Sequence, residues 1–335
     1  MNIKITGTGS CLPDNVVTNF DMAKIVETSD EWIRERTGIA ERRISTGETV
    51  ASLAAKACER ALEMAGKSAS EVDLIIVGTC SPELLLPCAA CQVQASIGAD
   101  KAVAFDLSAA CSGFLFALNT AYSYIAAGIY KNALIVGSEV LSKLMDWSDR
   151  STCVLFGDGA GAAFVEADEL ANDGKSGIIS MVQGSDGAKG MVLSCGQRQV
   201  GNPYIKENNL PYNNEEYMFS PYIKMNGQEV YKFATRQVPN CIKEALDKAQ
   251  LTVEDIDLFV LHQANVRIIE AAAKRLKADI SKFPMNLDRI GNMSSATIPV
   301  LLDELNRAGK IHKGDKLVLS GFGAGLTYGA SVIVW

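Results

Sequence analysis

Two stretches of the chain, ALEMAGKSASEVDLIIV (61–77) and ALDKAQLTVEDIDLFVL (245–261), align without a gap at an offset of 184. Ala61, Leu62, Ala65, Asp73 and Leu74 recur as Ala245, Leu246, Ala249, Asp257 and Leu258, and acid replaces acid at Glu63/Asp247 and Glu71/Asp255. Each copy reads as the end of an amphipathic helix, a short turn and a buried strand. Later landmarks keep nearly the same spacing. AFDLSAAC answers MNLDRIGN at Asp106 and Asp288, 182 apart, and ALIVGS answers KLVLSG at Leu134 and Leu317, 183 apart. Three matches in one order argue for a duplication. The spacing predicts two similar halves, about 1–170 and 171–335. Each alternates strands with helices, the pattern of an α/β fold with a largely parallel sheet covered on both faces.

The stretch from Cys111 to Gly128 carries very few charges on any side. A helix of that kind belongs in an interior, and two sheets sharing central helices would hold it. The halves also differ. GAAFV (161–165) and GASVI (329–333) lie only 168 apart, short of the repeat's offset, so the first half carries extra chain near SKLMDWSDRSTCVLFGD. The second half has a long polar loop from about Ser194 to Asn226, and such loops on rigid scaffolds are where substrates are usually met.

With 32 basic and 39 acidic residues the net charge is −7, which argues against a nucleic-acid-binding surface. The amino terminus, MNIKITGTGS, lacks a basic region followed by a long apolar run. No apolar stretch has the length that a membrane-spanning helix needs. The expectation is a cytoplasmic protein without membrane insertion. Nine cysteines in a long chain without an export signal predict reduced thiols. Cys88 and Cys91 have C-x-x-C spacing, but a metal site would want a second pair or nearby histidines, and the chain has only His262 and His312. No metal is expected.

Four segments carry candidate chemistry. In KAVAFDLSAACSGFLFALNTAYSYIAAG (101–128), Cys111 stands where an apolar strand runs into an apolar helix. Unpaired N–H groups at a helix start lower a thiol pKa, so Cys111 reads as a nucleophile or as a small buried residue. In DLFVLHQANVR, His262 follows a buried strand, where the repeat places Gly78. Strand ends of α/β sheets face ligand crevices, although a lone histidine can be structural; His312, in a charged turn, looks solvated. In IGNMSSATIP, Asn292 stands in the second half where Cys111 stands in the first, 181 residues on, so the duplication would bring the two loops to one pocket. In GFGAGLTYGASVIVW the glycine-rich run leads into SVIVW, which reads as a strand rather than a helix and rejects a dinucleotide fingerprint; its glycines can instead offer N–H groups to an oxyanion.

Together TSDEWI, RTGI, AACQVQ, ACSGF, FGDGAGA, HQAN, GNMSSA and GFGAGLTYG closely resemble the 3-oxoacyl-acyl-carrier-protein synthase III family, the initiating condensing enzymes of type II fatty-acid synthesis. The resemblance covers essentially the whole chain. It implies a thiolase-like fold, a five-layer αβαβα sandwich of two similar halves, in a homodimer. It implies a catalytic triad of Cys111, His262 and Asn292, with oxyanion donors at the backbone N–H groups of Cys111 and Gly325. Trp32, Arg36 and Arg150 match positions around the adenine and phosphates of coenzyme A, and Asn265 matches a contact to its pantetheine arm. Leu86, before the proline of LLLPCAACQ, matches a residue that closes the acyl pocket across the dimer. The implied substrates are acyl-CoA and malonyl-acyl-carrier protein, with no cofactor beyond the thioesters themselves. Three positions depart from the family: Gly323-Ala324-Gly325 where three glycines are common, Cys88 where serine is common, and a longer loop from Cys195 to Pro221.

Related chemistries leave other signatures. Degradative thiolases place a second cysteine near the final glycine-rich turn, elongating synthases use two histidines, and hydroxymethylglutaryl-CoA synthases need an acid after GT; this chain has none of these. A specialised ketosynthase or acyltransferase of secondary metabolism would keep the same triad, and a non-enzymatic scaffold is the remaining different-class alternative. Carrier proteins are acidic, as is this chain overall, so docking needs a local basic patch. Arg267 and Lys274, seven apart in ANVRIIEAAAKRLK, share a helix face, with Arg275 adjoining.

Overall fold

The computed structural model describes residues 2–168, 176–196 and 220–335. The expected junction of the halves at 170/171 and most of the loop from Cys195 to Pro221 lie outside the described residues.

Strands β1 (Asn2–Cys11), β2 (Leu74–Gly78), β3 (Val103–Leu107), β4 (Asn132–Val140) and β5 (Asp158–Asp168) form one sheet in the order β1-β5-β4-β2-β3. Strands β6 (Gly177–Ser185), β7 (Leu258–Leu261), β8 (Lys316–Gly323) and β9 (Thr327–Val334) form a second, ordered β7-β8-β9-β6. Read from opposite ends, β1-β5-β4-β2 and β6-β9-β8-β7 are the same arrangement, with the parallel pairs β2·β4 and β7·β8 in corresponding places. Among the described residues only the first sheet continues, into β3.

Strand alternation explains the layers, because successive side chains point to opposite faces. Leu74 and Ile76 of β2 face the middle of the molecule, while Ile75 and Val77 face outward. The middle layer is two helices, α4 (Gly113–Ala126) and α7 (Thr297–Arg307), packed between both sheets through Phe114, Leu115, Leu118, Ile298, Leu301 and Leu302. Outside the first sheet lie α2 (Val50–Ala65) and α3 (Ala89–Ile97). Outside the second lie α5 (Gly227–Ala249) and α6 (Val266–Leu276). This is the five-layer αβαβα sandwich of the thiolase-like fold, and the charge-poor stretch after Cys111 is one of its two central helices.

Candidate active site

Two short turns meet at the centre of this sandwich. Ala110–Ser112 feeds α4, and Ser294–Ala296 feeds α7. Ala110 and Ser294, which the offset of the repeat pairs, both adopt left-handed backbone, at φ 45° and φ 48°. Non-glycine residues there carry strain that surrounding structure must hold. The register of these turns corrects one reading of the sequence. The helices begin at Gly113 and Thr297, which the same offset pairs, so the counterpart of Cys111 is Ser295. Asn292 lies earlier, on the loop that approaches the turn.

The three candidate catalytic residues are all buried, with Cys111 8%, His262 3% and Asn292 7% exposed. Ser294 and Thr297 connect them. The Ser294 side chain lies near enough to the Cys111 sulfur to oppose the rise of its pKa. His262 Nδ1 lies 2.6 Å from Thr297 Oγ1, which is 2.9 Å from the Ser294 carbonyl oxygen. Asn292 Oδ1 accepts from the Ser294 N–H at 2.8 Å, which leaves the Asn292 amide hydrogens for a substrate. The backbone of Asn292 is pinned on both sides by the long insertion of the first half, its N–H donating to the Leu155 carbonyl and its carbonyl accepting from the Gly157 N–H. The extra residues near SKLMDWSDRSTCVLFGD therefore hold a residue of the other half in place.

Burial decides the charge state of this group. It pushes the Cys111 thiol up to about 12, helped by the Glu139 carboxylate and opposed by Ser294 and the residue's own N–H. The thiol is the resting form, contrary to the lowered pKa expected from the helix start alone. Burial likewise holds His262 down to about 3, so its imidazole is neutral. The ring stands edge-on to Phe322, centroids 5.5 Å apart. Phe322 leads into Gly323, where a Cβ would lie 2.6 Å from the Cys111 nitrogen, so the final glycine-rich turn presses its backbone against the nucleophile. Gly325 follows at φ 134°. The Thr327 hydroxyl ties this turn to the Ala109 carbonyl at 3.1 Å.

Sequence reasoning missed a buried polar knot beneath the site. Glu139, fully buried at the end of β4, accepts from Thr79, Ser81 and Ser295 hydroxyls at 3.2, 2.5 and 3.0 Å and from the Cys80 N–H at 3.1 Å. Burial raises its pKa against those bonds. Cys80, given no role from sequence, points its sulfur at the same carboxylate and lies 4.0 Å from the Ser294 hydroxyl. The visible signal was an acid inside the apolar run ALIVGSEVL.

A second cluster lies at the surface. Arg36 and Arg150 place their guanidinium carbons 5.7 and 5.0 Å from the Trp32 ring centroid. Trp32 and Arg36 sit on α1 (Asp30–Thr37), capped by Ser29, and Arg150 is fixed to the Glu27 carbonyl at 2.9 Å. Asn265 caps α6 by accepting from Arg267 N–H, and its amide donates to the Arg36 carbonyl at 2.9 Å. The strand end bearing His262 is thereby joined to the cationic cluster through the short segment from Gln263 to Asn265. The exposed residues Arg267, Lys274 and Arg275 lie along α6, and among the described residues none has a carboxylate partner.

Known proteins resemble this chain over its whole length. The family model for 3-oxoacyl-[acyl-carrier-protein] synthase III matches residues 105–187 and its C-terminal counterpart matches 246–335. The beta-ketoacyl-[acyl-carrier-protein] synthase III of Clostridium acetobutylicum is 50% identical over 334 residues, 100% of this chain and 99% of the relative. This chain belongs to the 3-oxoacyl-acyl-carrier-protein synthase III family. The crystal structure of the Aquifex aeolicus VF5 synthase III superposes with TM-score 0.90 at 43% identity, covering 99% of this chain and 100% of the other. The priming beta-ketosynthase of the R1128 polyketide pathway superposes with TM-score 0.89 at 35% identity, covering 99% and 96%.

In this synthase III chain one predicted residue stands apart from the rest. Leu86 is 86% exposed, beside exposed Leu84 and Leu85. The second departure, Cys88, caps α3 without a side-chain hydrogen bond.

Proposed function

We propose that this chain performs the initiating decarboxylative condensation of type II fatty-acid synthesis through an acyl-Cys111 intermediate. The observation that carries this reading is that Cys111 stands on one of the two central turns of a synthase III chain, while Asn292 and His262 are held to the other through Ser294 and Thr297. The Cys111 sulfur attacks the thioester carbonyl of an acyl-CoA primer, and coenzyme A leaves as its thiol, carrying the proton that Cys111 gives up. The N–H groups of Cys111 and Gly325 receive the oxyanion. Loss of carbon dioxide from malonyl-acyl-carrier protein then generates an enolate, stabilised by a His262 N–H and the Asn292 amide. Its carbon attacks acyl-Cys111 and expels the sulfur, which regains a proton. Decarboxylation supplies the carbanion, so the residues need no resident metal or redox cofactor.

Trp32, Arg36 and Arg150 offer a ring for the adenine and two charges for the phosphates of coenzyme A. Asn265 reaches the pantetheine arm with its second amide hydrogen, and Arg267, Lys274 and Arg275 receive the acidic carrier protein. A homodimer is supported by the exposed Leu84–Leu86 segment and by β3, an edge strand whose Val103 is exposed. There Leu86 would close the partner's acyl pocket. We place the halves at about 1–170 and 171–335 and the protein in the cytoplasm; among the described residues no helix is long and apolar enough to cross a membrane. The likeness to the R1128 enzyme supports a second reading, a priming ketosynthase of secondary metabolism, which would differ in primer and carrier protein rather than in the triad.

The test separates the half-reactions. Asn292→Ala is expected to accept acyl groups from acyl-CoA at close to the native rate, while condensation with malonyl-carrier protein falls about 100-fold or more, the usual effect of losing an oxyanion donor. Native condensation by this variant would overturn the assigned roles.

A further inference from the structure

We propose that Cys88 and Cys91 form a thiol–disulfide exchange site, which takes a small disulfide as its oxidant and closes into one bond within the chain. This chemistry stands apart from the condensing reaction and does not depend on it.

The two residues frame the first turn of α3. Cys88 is its N-cap, in extended backbone at ψ 159°, and Cys91 is the third helical residue. A side chain at the N-cap folds over the turn toward the second and third residues, which sends Cys88 toward Cys91. The thiols are near enough that Cys88 is the largest cause holding the Cys91 thiol above its ordinary range, ahead of burial. Capping does not explain the thiol at position 88. It makes no capping hydrogen bond, and serine, common there in the family, is the better cap. The cap comes instead from β3, where the Asp106 carboxylate accepts from the Ala89 and Ala90 N–H groups at 2.9 and 2.7 Å. That contact has a redox consequence. In strongly oxidising C-x-x-C sites the helix start stabilises a thiolate and so favours the reduced pair. Here two of the N–H groups already serve a carboxylate, whose charge opposes a thiolate at Cys91. The reduced pair gains little, so the disulfide is favoured.

Both thiols are free. Cys91 is exposed and Cys88 half-buried, so Cys91 meets the oxidant. Its sulfur loses a proton, attacks one sulfur of the small disulfide and expels one thiol, leaving a mixed disulfide. Cys88 then loses its proton, attacks the Cys91 sulfur and expels the second thiol. Two electrons and two protons pass from the pair to the small disulfide. In closing, Cys91 gives up the S–H that it donates to the Ala104 carbonyl at 3.6 Å. In a reducing compartment such a bond is transient and acts as a sensor. The pair borders Leu86 and β3, the surface proposed for a homodimer, so equilibrium rather than rate is the quantity to measure.

Full-length protein is equilibrated in buffers of graded reduced-to-oxidised glutathione, starting from reduced protein and from protein treated with excess oxidised glutathione. It is then blocked with N-ethylmaleimide in denaturant and digested with trypsin. Peptide 68–101 holds Cys80, Cys88 and Cys91. The expected product is this peptide lighter by two hydrogens, with maleimide on Cys80 alone, and it should form while reduced glutathione is still in excess. Cys88→Ser should instead retain one glutathione on Cys91. Native protein with maleimide on both Cys88 and Cys91 at every ratio would overturn the proposal. So would native protein that keeps glutathione on Cys91, or one that joins the Cys91 residues of two chains. These readings on the native protein do not depend on the variant folding.

Discussion

At the Cys111 sulfur two effects of opposite sign compete. Unpaired N–H groups at the start of α4 favour the thiolate, but a helix terminus is worth about 0.3–2 kcal/mol. Full burial moves a pKa by up to about 3–5, at about 1.4 kcal/mol for each step of one, so burial wins and the thiol is held at about 12. The sequence displayed the helix start and concealed the burial, because residues from both halves, Glu139, Ser294 and Gly323 among them, gather around Cys111 only on folding. Alkylation of Cys111 by iodoacetamide, followed by peptide mass spectrometry, should accelerate steadily from pH 7 to pH 10. A plateau below pH 9 would mean that the helix terminus dominates after all. His262 and Asn292 were legible as residue types at strand and loop ends. Thr297 and Ser294 were not, since a hydroxyl in an ordinary helix-start pattern gives no sign of which ring or sulfur it touches.

The two central turns and the strands that back them form the next level. Gly137 on β4 and Gly321 on β8 are paired by the offset of the repeat and support the turns of opposite halves. At Gly137 an added Cβ would fall well inside contact distance of the Ser295 carbonyl, whereas at Gly321 it would meet Ile298 and Leu115 side-chain carbons at 3.4 Å. Gly137→Ala should therefore cost about 1–3 kcal/mol of stability, the usual penalty of overpacking, and slow condensation by displacing the Asn292 loop. Gly321→Ala, whose added Cβ meets its neighbours at ordinary van der Waals distance, should cost less than Gly137→Ala. Equal losses in denaturant melts would show that the turns are not set by these contacts. The repeat itself was plain from Ala61–Leu74 and Ala245–Leu258, because helix–strand units keep their apolar pattern through divergence. The turn register was misjudged because it is written in backbone angles at Ala110 and Ser294, which leave no residue signature when neither is glycine. Glu139 could be seen as an acid in an apolar strand, but its partners Ser81 and Ser295 are brought to it only by the folded halves.

For the whole molecule, a chain of net charge −7 must recruit an acidic carrier protein through a local field. On the proposed docking face, the exposed cations of α6 would supply one. Reversing Arg267 and Lys274 to Glu should raise the KM for malonyl-carrier protein about tenfold or more while acyl-CoA loading changes little. Equal damage to both half-reactions would place the docking face elsewhere. The layered architecture was legible because apolar alternation and a charge-poor central helix are global signals. The exposed position of Leu86 was not, since a leucine in an apolar run gives no sign that the fold of one chain leaves it uncovered. Everything rests on Cys111 as the acyl carrier, and intact-protein mass spectrometry after exposure to a panel of acyl-CoAs tests it most directly. The account predicts one acyl group per chain in the native protein and none in Cys111→Ala; an adduct that persists in Cys111→Ala, or no adduct with any primer, would contradict it.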